Sequence, residues 1–225
     1  STKVNKEYID YDLIANAIKS QNADIVILNE VRNKGAHPDY KNQTEILASK
    51  VGYKYYHFGE AIRFAFAMPY GNGILSKYPI LNTKVIKSPD PIVKDEDAYY
   101  ETRCVIKAEV CVNDIELTVF GTHIGLANQE KINAVKTLME LIDDCKTPYV
   151  LMGDFNMKPD DIKLKPIYER MKDSASGINK LSFPSDKPKI KIDYIFVSKE
   201  IQVKNSDIPD IIASDHRMHI CDIDF

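Results

Sequence analysis

The sequence predicts a single α/β (α+β) domain in which β-sheets pack together and helices lie outside them. Segments with apolar residues at helical spacing are mixed with short apolar runs and with a hairpin pattern, which is typical of layered α/β proteins. No linker rich in glycine, serine or proline divides the 225 residues, so we expect one domain over residues 1–225. A chain of this length buries enough surface to fold without disulfides or metals.

The first half of the chain predicts two helices and four strands. Helical spacing of apolar residues indicates a helix over 11–18 with Asp10 as its N-cap, and a second over 43–50 that ends at Gly52. Four consecutive β-favouring residues at 25–28 predict a strand that is buried on both faces. Further strands are predicted over 53–58, 73–76 and 83–87, followed by a loop over 88–100.

The second half predicts a hairpin, two helices and three more strands. The hairpin covers 103–112 and 115–120 and turns at Asn113 and Asp114. Residues 128–143 have the strongest helical pattern, with apolar side chains on one face, and a further helix is predicted over 160–171. The remaining strands are predicted over 149–152, 192–197 and 218–225.

Composition and charge exclude several classes of protein. The net charge is −3, from 30 basic and 33 acidic residues, whereas a sequence-independent binder of duplex nucleic acid usually carries a positive excess. No apolar run approaches the ~20 residues that span a bilayer, and residues 1–8 contain no secretory signal. The four cysteines lack zinc-ligand spacing. Free, mostly buried thiols favour a reducing compartment such as the cytoplasm, while secretion after removal of a leader stays open.

Acidic, amide and imidazole side chains are found where predicted strands end. Singly, such residues have ordinary structural explanations, because Asp after a strand usually forms a turn and most histidines are structural. Together they are the residue types that hold a hard divalent cation and move protons, and Glu30 would suit Mg²⁺. The set comprises Asn29, Glu30, His123, Asp154, Asn156, Asp193, Asp215 and His216.

Taken in order, these segments resemble the endonuclease/exonuclease/phosphatase family of metal-dependent phosphoesterases. The resemblance covers the chain from about residue 11 to the C-terminus, and the matching stretches are 23–31, 70–80, 121–126, 153–156, 191–195 and 214–216. Each motif alone is weak, but all of them occur in the order typical of the family. The resemblance implies a deoxyribonuclease-I-like fold of four layers, in which two packed mixed sheets are flanked by helices.

The resemblance also implies a role for each site residue. Glu30 would bind Mg²⁺ or Mn²⁺ with Asp215 near the metal. Asp154 would orient or deprotonate the attacking water, and Asn156 would hold the phosphate and help to fix Asp154. His216 would contact the phosphoryl oxygens or share the base role, with Asp193 fixing its tautomer, and His123 would stabilise or protonate the leaving group. Weaker candidates for phosphate contact are Asn72, Arg63 and Arg103. The implied activity is hydrolysis of a phosphate ester, most simply a phosphodiester, by in-line attack of an activated water in a monomeric protein.

The resemblance leaves the substrate open and includes two departures from the family pattern. The substrate class is a small phosphorylated molecule, a lipid head group or a nucleic acid, although the net charge argues against long duplex DNA. Asn29 stands where the family usually has glutamine, and only residues 1–10, a largely polar segment without a strand pattern, stand where the family has its first strand. We therefore expect that strand, and one site residue on it, to be missing. The alternative function is a truncated or inactive relative that acts as a binding module.

Overall fold

The computed structural model describes residues 9–94 and 99–225. Within these residues the helices are α1 (Tyr11–Gln21), α2 (Gln43–Val51), α3 (Asn128–Asp143) and α4 (Lys165–Arg170). The strands of the first half are β1 (Ile25–Arg32), β2 (Tyr55–Phe64), β3 (Met68–Ser76), β4 (Ile80–Lys87), β5 (Cys104–Val112) and β6 (Ile115–His123). Those of the second half are β7 (Tyr149–Asp154), β8 (Met171–Asp173), β9 (Asp193–Ser198), β10 (Gln202–Asp207) and β11 (Ile220–Asp224).

The strands form a six-stranded sheet, a three-stranded sheet and a separate hairpin-like pair. The larger sheet has the order β4-β5-β6-β7-β9-β8, the smaller one the order β1-β3-β2, and β10 pairs with β11. Among the strands of the described residues, only β6 and β7 run parallel; the other pairs are antiparallel. The larger sheet is therefore mixed.

Two sheets and two groups of helices form four layers. One apolar cluster joins side chains of the smaller sheet, such as Ile74, to those of the larger sheet, such as Ile106 and Val119. A second cluster packs α3 and α4 against the outer face of the larger sheet, and a third packs α1 and α2 against the smaller one. The expected sandwich of two sheets flanked by helices is confirmed, because each sheet has one face against its neighbour and one against helices.

The predicted helix caps and the predicted hairpin turn are found where the sequence signals place them, although α1 continues to Gln21, three residues beyond its predicted end. The Asp10 carboxylate accepts hydrogen bonds from the backbone N–H groups of Asp12 and Leu13 at the start of α1. Gly52 ends α2 with a φ of 97°, a conformation that glycine adopts without steric cost. Asn113 and Asp114 both have positive φ between β5 and β6, as a two-residue hairpin turn requires. Helix α3 has the predicted bounds.

Three expectations about local structure were wrong. Strand β1 is not buried on both faces, because it is an edge strand of the described smaller sheet and residues 25–28 are only partly buried. The predicted helix over 160–171 is shortened, since Asp161 caps a 3-10 turn at Ile162–Leu164 and strand β8 begins at Met171. Strand β10 was missed, because its sequence is mostly polar and lacks a β-favouring run.

The described residues also bear on the remaining general expectations. All four cysteines are free thiols, and Cys104 is buried. No helix in the described ranges has the length and apolar character needed to cross a membrane. The predicted loop over 88–100 agrees with residues 88–94 and 99–100, and its remaining part lies outside the described residues.

Candidate active site

Three of the predicted site residues lie side by side at one edge of the larger sheet. His123 is the cross-strand partner of Asp154 in the β6–β7 pair, and Asp154 is the partner of Asp193 in the β7–β9 pair. The strand ends bring these side chains together although 70 residues of sequence separate His123 from Asp193. A rigid sheet edge fixes the positions of reacting groups, while the loops beyond it give access to them.

Asp154 is the buried centre of this group. Its side chain is 9% exposed, and its Oδ2 atom lies 3.6 Å from Nε2 of His123 and 3.8 Å from Nε2 of His216. The other carboxylate oxygen accepts a hydrogen bond of 2.8 Å from the backbone N–H of Asn156. Burial, followed by the neighbouring charge of Asp193, raises the pKa of Asp154. A carboxylate with a raised pKa can accept a proton near neutral pH.

Asn156 holds Asp154 through an unusual backbone conformation. Its φ of 50° is in the left-handed region, which asparagine tolerates better than most residues. This turn directs the Asn156 N–H back to the Asp154 carboxylate, while the side-chain amide donates to the carbonyl of Ile124 at 2.8 Å. Asn156 therefore connects the loop after β7 to the loop after β6 by hydrogen bonds.

His216 and Asp193 form a hydrogen-bonded pair beside Asp154. The Nδ1 atom of His216 lies 2.9 Å from Oδ2 of Asp193, and the ring packs against Phe183 with 4.6 Å between centroids. Burial lowers the pKa of His216, but the hydrogen bond and the charge of Asp193 outweigh it and bring that pKa to about 9. His216 is therefore an imidazolium at neutral pH, and its Nε2–H is available to an anionic group.

His123 has the opposite protonation behaviour. A guanidinium nitrogen of Arg103 lies 2.9 Å from Nδ1 of His123, and arginine can only donate hydrogen bonds. Nδ1 must therefore accept from Arg103, and the side-chain amide nitrogen of Asn156 lies 3.3 Å from Nε2, so both ring nitrogens face a donor. Burial, followed by the charge of Arg103, lowers the pKa of His123 well below its usual value. His123 is thus a neutral ring near neutral pH, and its role at the leaving group stays a prediction.

Glu30 lies in β1, two residues before the strand ends at Arg32, and has a strained backbone conformation. Its φ is 59°, and the β1–β3 register shifts between Leu28 and Val31, so the strand has a bulge at Glu30. The carboxylate is 60% exposed and lies 3.9 Å from Nδ1 of His123. The phenol of Tyr70, on the neighbouring strand, is close to Glu30; burial, followed by the charge of Glu30, raises the pKa of Tyr70. Tyr70 was missed by the sequence reasoning, because a tyrosine in a strand gives no signal of its own.

The donor atoms in this cleft fit a hard divalent cation. Ligand atoms of Asp154, Asp193 and His216 lie within 4.8 Å of one another, and the exposed carboxylate of Glu30 reaches the same edge through its contact with His123. Because His216 is held as a cation by Asp193, the available donors are carboxylate oxygens, which Mg²⁺ and Mn²⁺ prefer. Asp215 precedes His216 and is exposed; metal binding by Asp215 stays a prediction.

The structure gives Asn72 a different role from phosphate contact. Its side chain is buried, its carbonyl oxygen accepts a hydrogen bond from Asn29 at 3.0 Å, and its amide donates to the carbonyl of Cys104 at 3.2 Å. Asn29 also donates to the carbonyl of Thr122 at 2.9 Å and accepts from the N–H of Asp154 at 3.2 Å. These two amides join the two sheets beneath the cleft, so a structural role is favoured for Asn72.

The two arginine candidates are placed very differently. Arg63 is on β2, is about half exposed, and binds the neighbouring Glu60 through two guanidinium nitrogens; no contact in the described chain brings it to the cleft. Arg103 is nine-tenths buried, contacts His123, and forms an ion pair of 3.1 Å with Glu101. Glu101 was not predicted, because a glutamate in a loop is usually a solvated surface residue.

The layered fold and the acidic, imidazole-lined edge define a class of protein, the deoxyribonuclease-I-like phosphoester hydrolases. The family model described as "Endonuclease/Exonuclease/phosphatase family" matches residues 2–216 of this chain. The chain therefore belongs to the endonuclease/exonuclease/phosphatase family, whose members hydrolyse phosphate esters and generally use a divalent metal. None of the curated proteins matches the sequence.

Solved structures of family members share the fold at low sequence identity. A family protein from Bacteroides vulgatus has a TM-score of 0.76 and 20% identity, with 95% of this chain and 89% of that chain covered. The mannosyl-6-phosphatase of Bacteroides thetaiotaomicron has a TM-score of 0.75 and 17% identity, with coverage of 96% and 90%. A protein from Beutenbergia cavernae has a TM-score of 0.75 and 20% identity, and this chain covers only 66% of its length. At these identities the likeness concerns the fold alone.

Proposed function

We propose that this chain is a divalent-metal-dependent hydrolase of phosphate esters that acts by in-line attack of an activated water. The observation that carries the proposal is the position of the Asp154 carboxylate, which lies between a neutral imidazole at 3.6 Å and a protonated one at 3.8 Å. A buried carboxylate with a raised pKa between two imidazoles of different charge suits proton transfer next to an anionic reacting group.

Each side chain would have one task in this reaction. Asp154 would accept a proton from the attacking water, and Asn156 would hold it in place. The His216 imidazolium would bind the phosphoryl oxygens, with its orientation fixed by Asp193. His123, held by Arg103 and Asn156, would stabilise the negative charge that develops on the leaving oxygen.

A bound Mg²⁺ or Mn²⁺ would neutralise charge on the phosphate and on the leaving oxygen. Glu30 would be the principal ligand of this ion, with Asp215 as a second candidate. Both side chains are exposed, which leaves room for the water ligands that Mg²⁺ usually keeps.

The balance of charge in the cleft favours a phosphodiester over a phosphomonoester. The imidazolium of His216 is paired with Asp193, and the guanidinium of Arg103 with Glu101. Neither contributes a full net positive charge to the cleft. A diester brings one negative charge on phosphorus and a monoester up to two, so the diester requires less compensation.

Hydrolysis of an aryl phosphodiester tests this proposal. The protein is assayed with Mg²⁺, with Mn²⁺ and with EDTA, and the corresponding aryl phosphomonoester is assayed in parallel. We expect metal-dependent turnover that falls by about 10²–10⁴ in Asp154→Asn. Asp114→Asn, the same change in the hairpin turn at the other end of β6, should keep wild-type turnover.

The outcomes distinguish the competing functions. Turnover without metal, or equal turnover in Asp154→Asn, would contradict the mechanism. Faster hydrolysis of the monoester would contradict the choice of substrate class. A binding module predicts no turnover of either ester under any metal, from protein that is folded.

A further inference from the structure

The loop that carries His216 has no regular secondary structure of its own. It covers residues 208–219, between β10 and β11. The backbone N–H and C=O groups of such a segment are satisfied by side chains, by water or by other parts of the chain. The ring of His216 contacts Asp193 and Phe183, but these contacts do not determine the backbone position from which the ring extends. The position of the ring therefore also depends on the residues that bond to the loop.

Ser185 makes three hydrogen bonds to this loop, on both sides of His216. Its hydroxyl donates to the carbonyl of Ser214 at 2.6 Å, and its backbone N–H donates to the carbonyl of Asp215 at 2.8 Å. Its own carbonyl accepts a hydrogen bond of 2.8 Å from Nε of Arg217. Ser185 is 3% exposed, so water has little access to these bonds. The residues before and after His216 are thus held by one buried serine.

Ser182 attaches segment 182–185 to the larger sheet. Its hydroxyl accepts hydrogen bonds from the backbone N–H groups of Ile192 and Asp193, at 3.2 and 3.3 Å, where β9 begins. Its carbonyl accepts from the backbone N–H of Arg217 at 2.8 Å. Because β9 lies between β7 and β8 in the sheet, this end of the segment is fixed to a rigid element. The segment can therefore hold the loop in one position.

We infer that Ser185 is a positioning residue that holds the loop on both sides of His216 and so fixes the imidazole in the cleft. There Nε2 of His216 lies 3.8 Å from Oδ2 of Asp154, and Nδ1 lies 2.9 Å from Oδ2 of Asp193. The catalytic consequence rests on the proposed function, in which His216 binds the phosphoryl oxygens. A displacement of about 1 Å at a catalytic group can lower the rate by about 10²-fold. Ser185 acts through the loop.

A double-mutant cycle tests the catalytic consequence. Ser185→Ala removes only the bond from the hydroxyl and keeps both backbone bonds to the loop. We expect it to lower kcat on the aryl phosphodiester by about 10-fold. Ser185→Cys, which keeps the size of the side chain but is a weaker donor, should lower kcat less. In the His216→Gln background, Ser185→Ala should change kcat by less than about 3-fold, because the residue through which it acts is gone.

Ser76→Ala is the matched control for the loss of a buried hydroxyl. Ser76 is fully buried, its hydroxyl donates to the carbonyl of Tyr78 at 2.8 Å, and it pairs with Ile25 at the opposite end of β1 from Glu30. Ser76→Ala should leave kcat unchanged. A merely structural role for Ser185 predicts equal losses of kcat in both backgrounds together with a lower melting temperature. Equal losses, or wild-type kcat in folded Ser185→Ala, would overturn the inference.

Proton NMR supplies a readout that does not need activity. The ring centroids of His216 and Phe183 are 4.6 Å apart, which is close enough for a nuclear Overhauser effect between their ring protons. The ring signals of His216 are assigned by their loss in His216→Gln. We expect this effect to weaken in Ser185→Ala and to stay unchanged in Ser76→Ala. An unchanged effect in Ser185→Ala would overturn the inference even if kcat fell. If the wild type hydrolyses no phosphate ester, the proposed function fails while this measurement still decides whether Ser185 holds His216.

Discussion

Asp193 and His216 form the shortest histidine–carboxylate contact of the described cleft, with 2.9 Å between Oδ2 and Nδ1. The two residues are 23 positions apart and come from different elements, since Asp193 begins β9 while His216 lies in the loop before β11. Asp193 is also the cross-strand neighbour of Asp154. Asp193 therefore keeps His216 protonated and also raises the pKa of Asp154.

The first prediction concerns this pair. Asp193→Asn removes the charge that keeps His216 protonated, so the pKa of His216 should fall from about 9 toward its ordinary range, since the largest effect that raises it would be lost. An uncharged His216 binds a phosphate less strongly, and turnover should fall by about 10²–10³. Proton NMR of His216 and the phosphodiester assay measure the two effects. Asp222→Asn, an exposed change on β11, should alter neither, and a His216 that still titrates near 9 in Asp193→Asn would refute the prediction.

The second prediction concerns the metal. Glu30→Gln removes an exposed carboxylate at the cleft while keeping its shape, and should weaken Mn²⁺ binding by about 10-fold or more, because a neutral amide is a poorer ligand for a hard cation. Isothermal titration calorimetry with Mn²⁺ measures this directly. Glu116→Gln, an exposed glutamate at the far end of β6, is the matched control. Equal affinities in wild type and Glu30→Gln would place the ion elsewhere.

Sequence reasoning predicted the layers of the fold and the residues at the strand ends because both follow from local patterns. Each of His123, Asp154 and Asp193 stands directly at the end of a recognisable strand, and strand register then places them together. Local patterns carry no information about long-range pairing. For this reason the ion pair of Glu101 with Arg103, and the burial of Asn72 between the sheets, became visible only in the folded chain.

The mispredicted boundaries also depend on contacts between residues that are far apart in the sequence. The region after β7 has helical spacing, but Asp161 caps only a short 3-10 turn, and α4 ends at Arg170 because Met171 begins strand β8, which pairs with β9. Strand β10 is held by its pairing with β11. In these two segments, tertiary contacts therefore determine the secondary structure and outweigh local propensity.

The third prediction concerns Asn29, whose amide joins both sheets. Asn29→Ala would leave the Asn72 carbonyl oxygen and the Asp154 N–H without the partners that they have now. An unsatisfied buried polar group costs about 1–3 kcal/mol, so the free energy of unfolding should fall by about 2–4 kcal/mol. Urea unfolding measures the change. Asn82→Ala, at an exposed position on β4, should change it by less than about 0.5 kcal/mol. A similarly small change in Asn29→Ala would show that water replaces the lost amide.

The fourth prediction concerns His219, a histidine outside the proposed chemistry. Its Nε2 lies 3.1 Å from Oγ of Ser174 and 3.0 Å from Oγ of Ser206, and its Nδ1 is buried. Burial, followed by the charge of Lys191, lowers the pKa of His219 to about 4. The unfolded chain keeps the ordinary value of about 6.5. Between these two values the unfolded state takes up a proton that the folded state does not, so stability must fall as the pH falls from about 6.5 to about 4.

At about pH 5 the contribution of His219 to this loss should be about 2 kcal/mol, because about 1.5 pH units separate that pH from the unfolded pKa. The free energies of unfolding in urea at about pH 7.5 and about pH 5 are compared for the wild type and for His219→Gln, whose amide can still reach the serine hydroxyls but does not titrate. Every other group contributes equally to both proteins, so the difference between the two pH effects isolates His219. An identical loss of stability in both proteins would mean that folding does not lower the pKa of His219. The ring would then be protonated in the folded protein while it contacts Ser174 and Ser206.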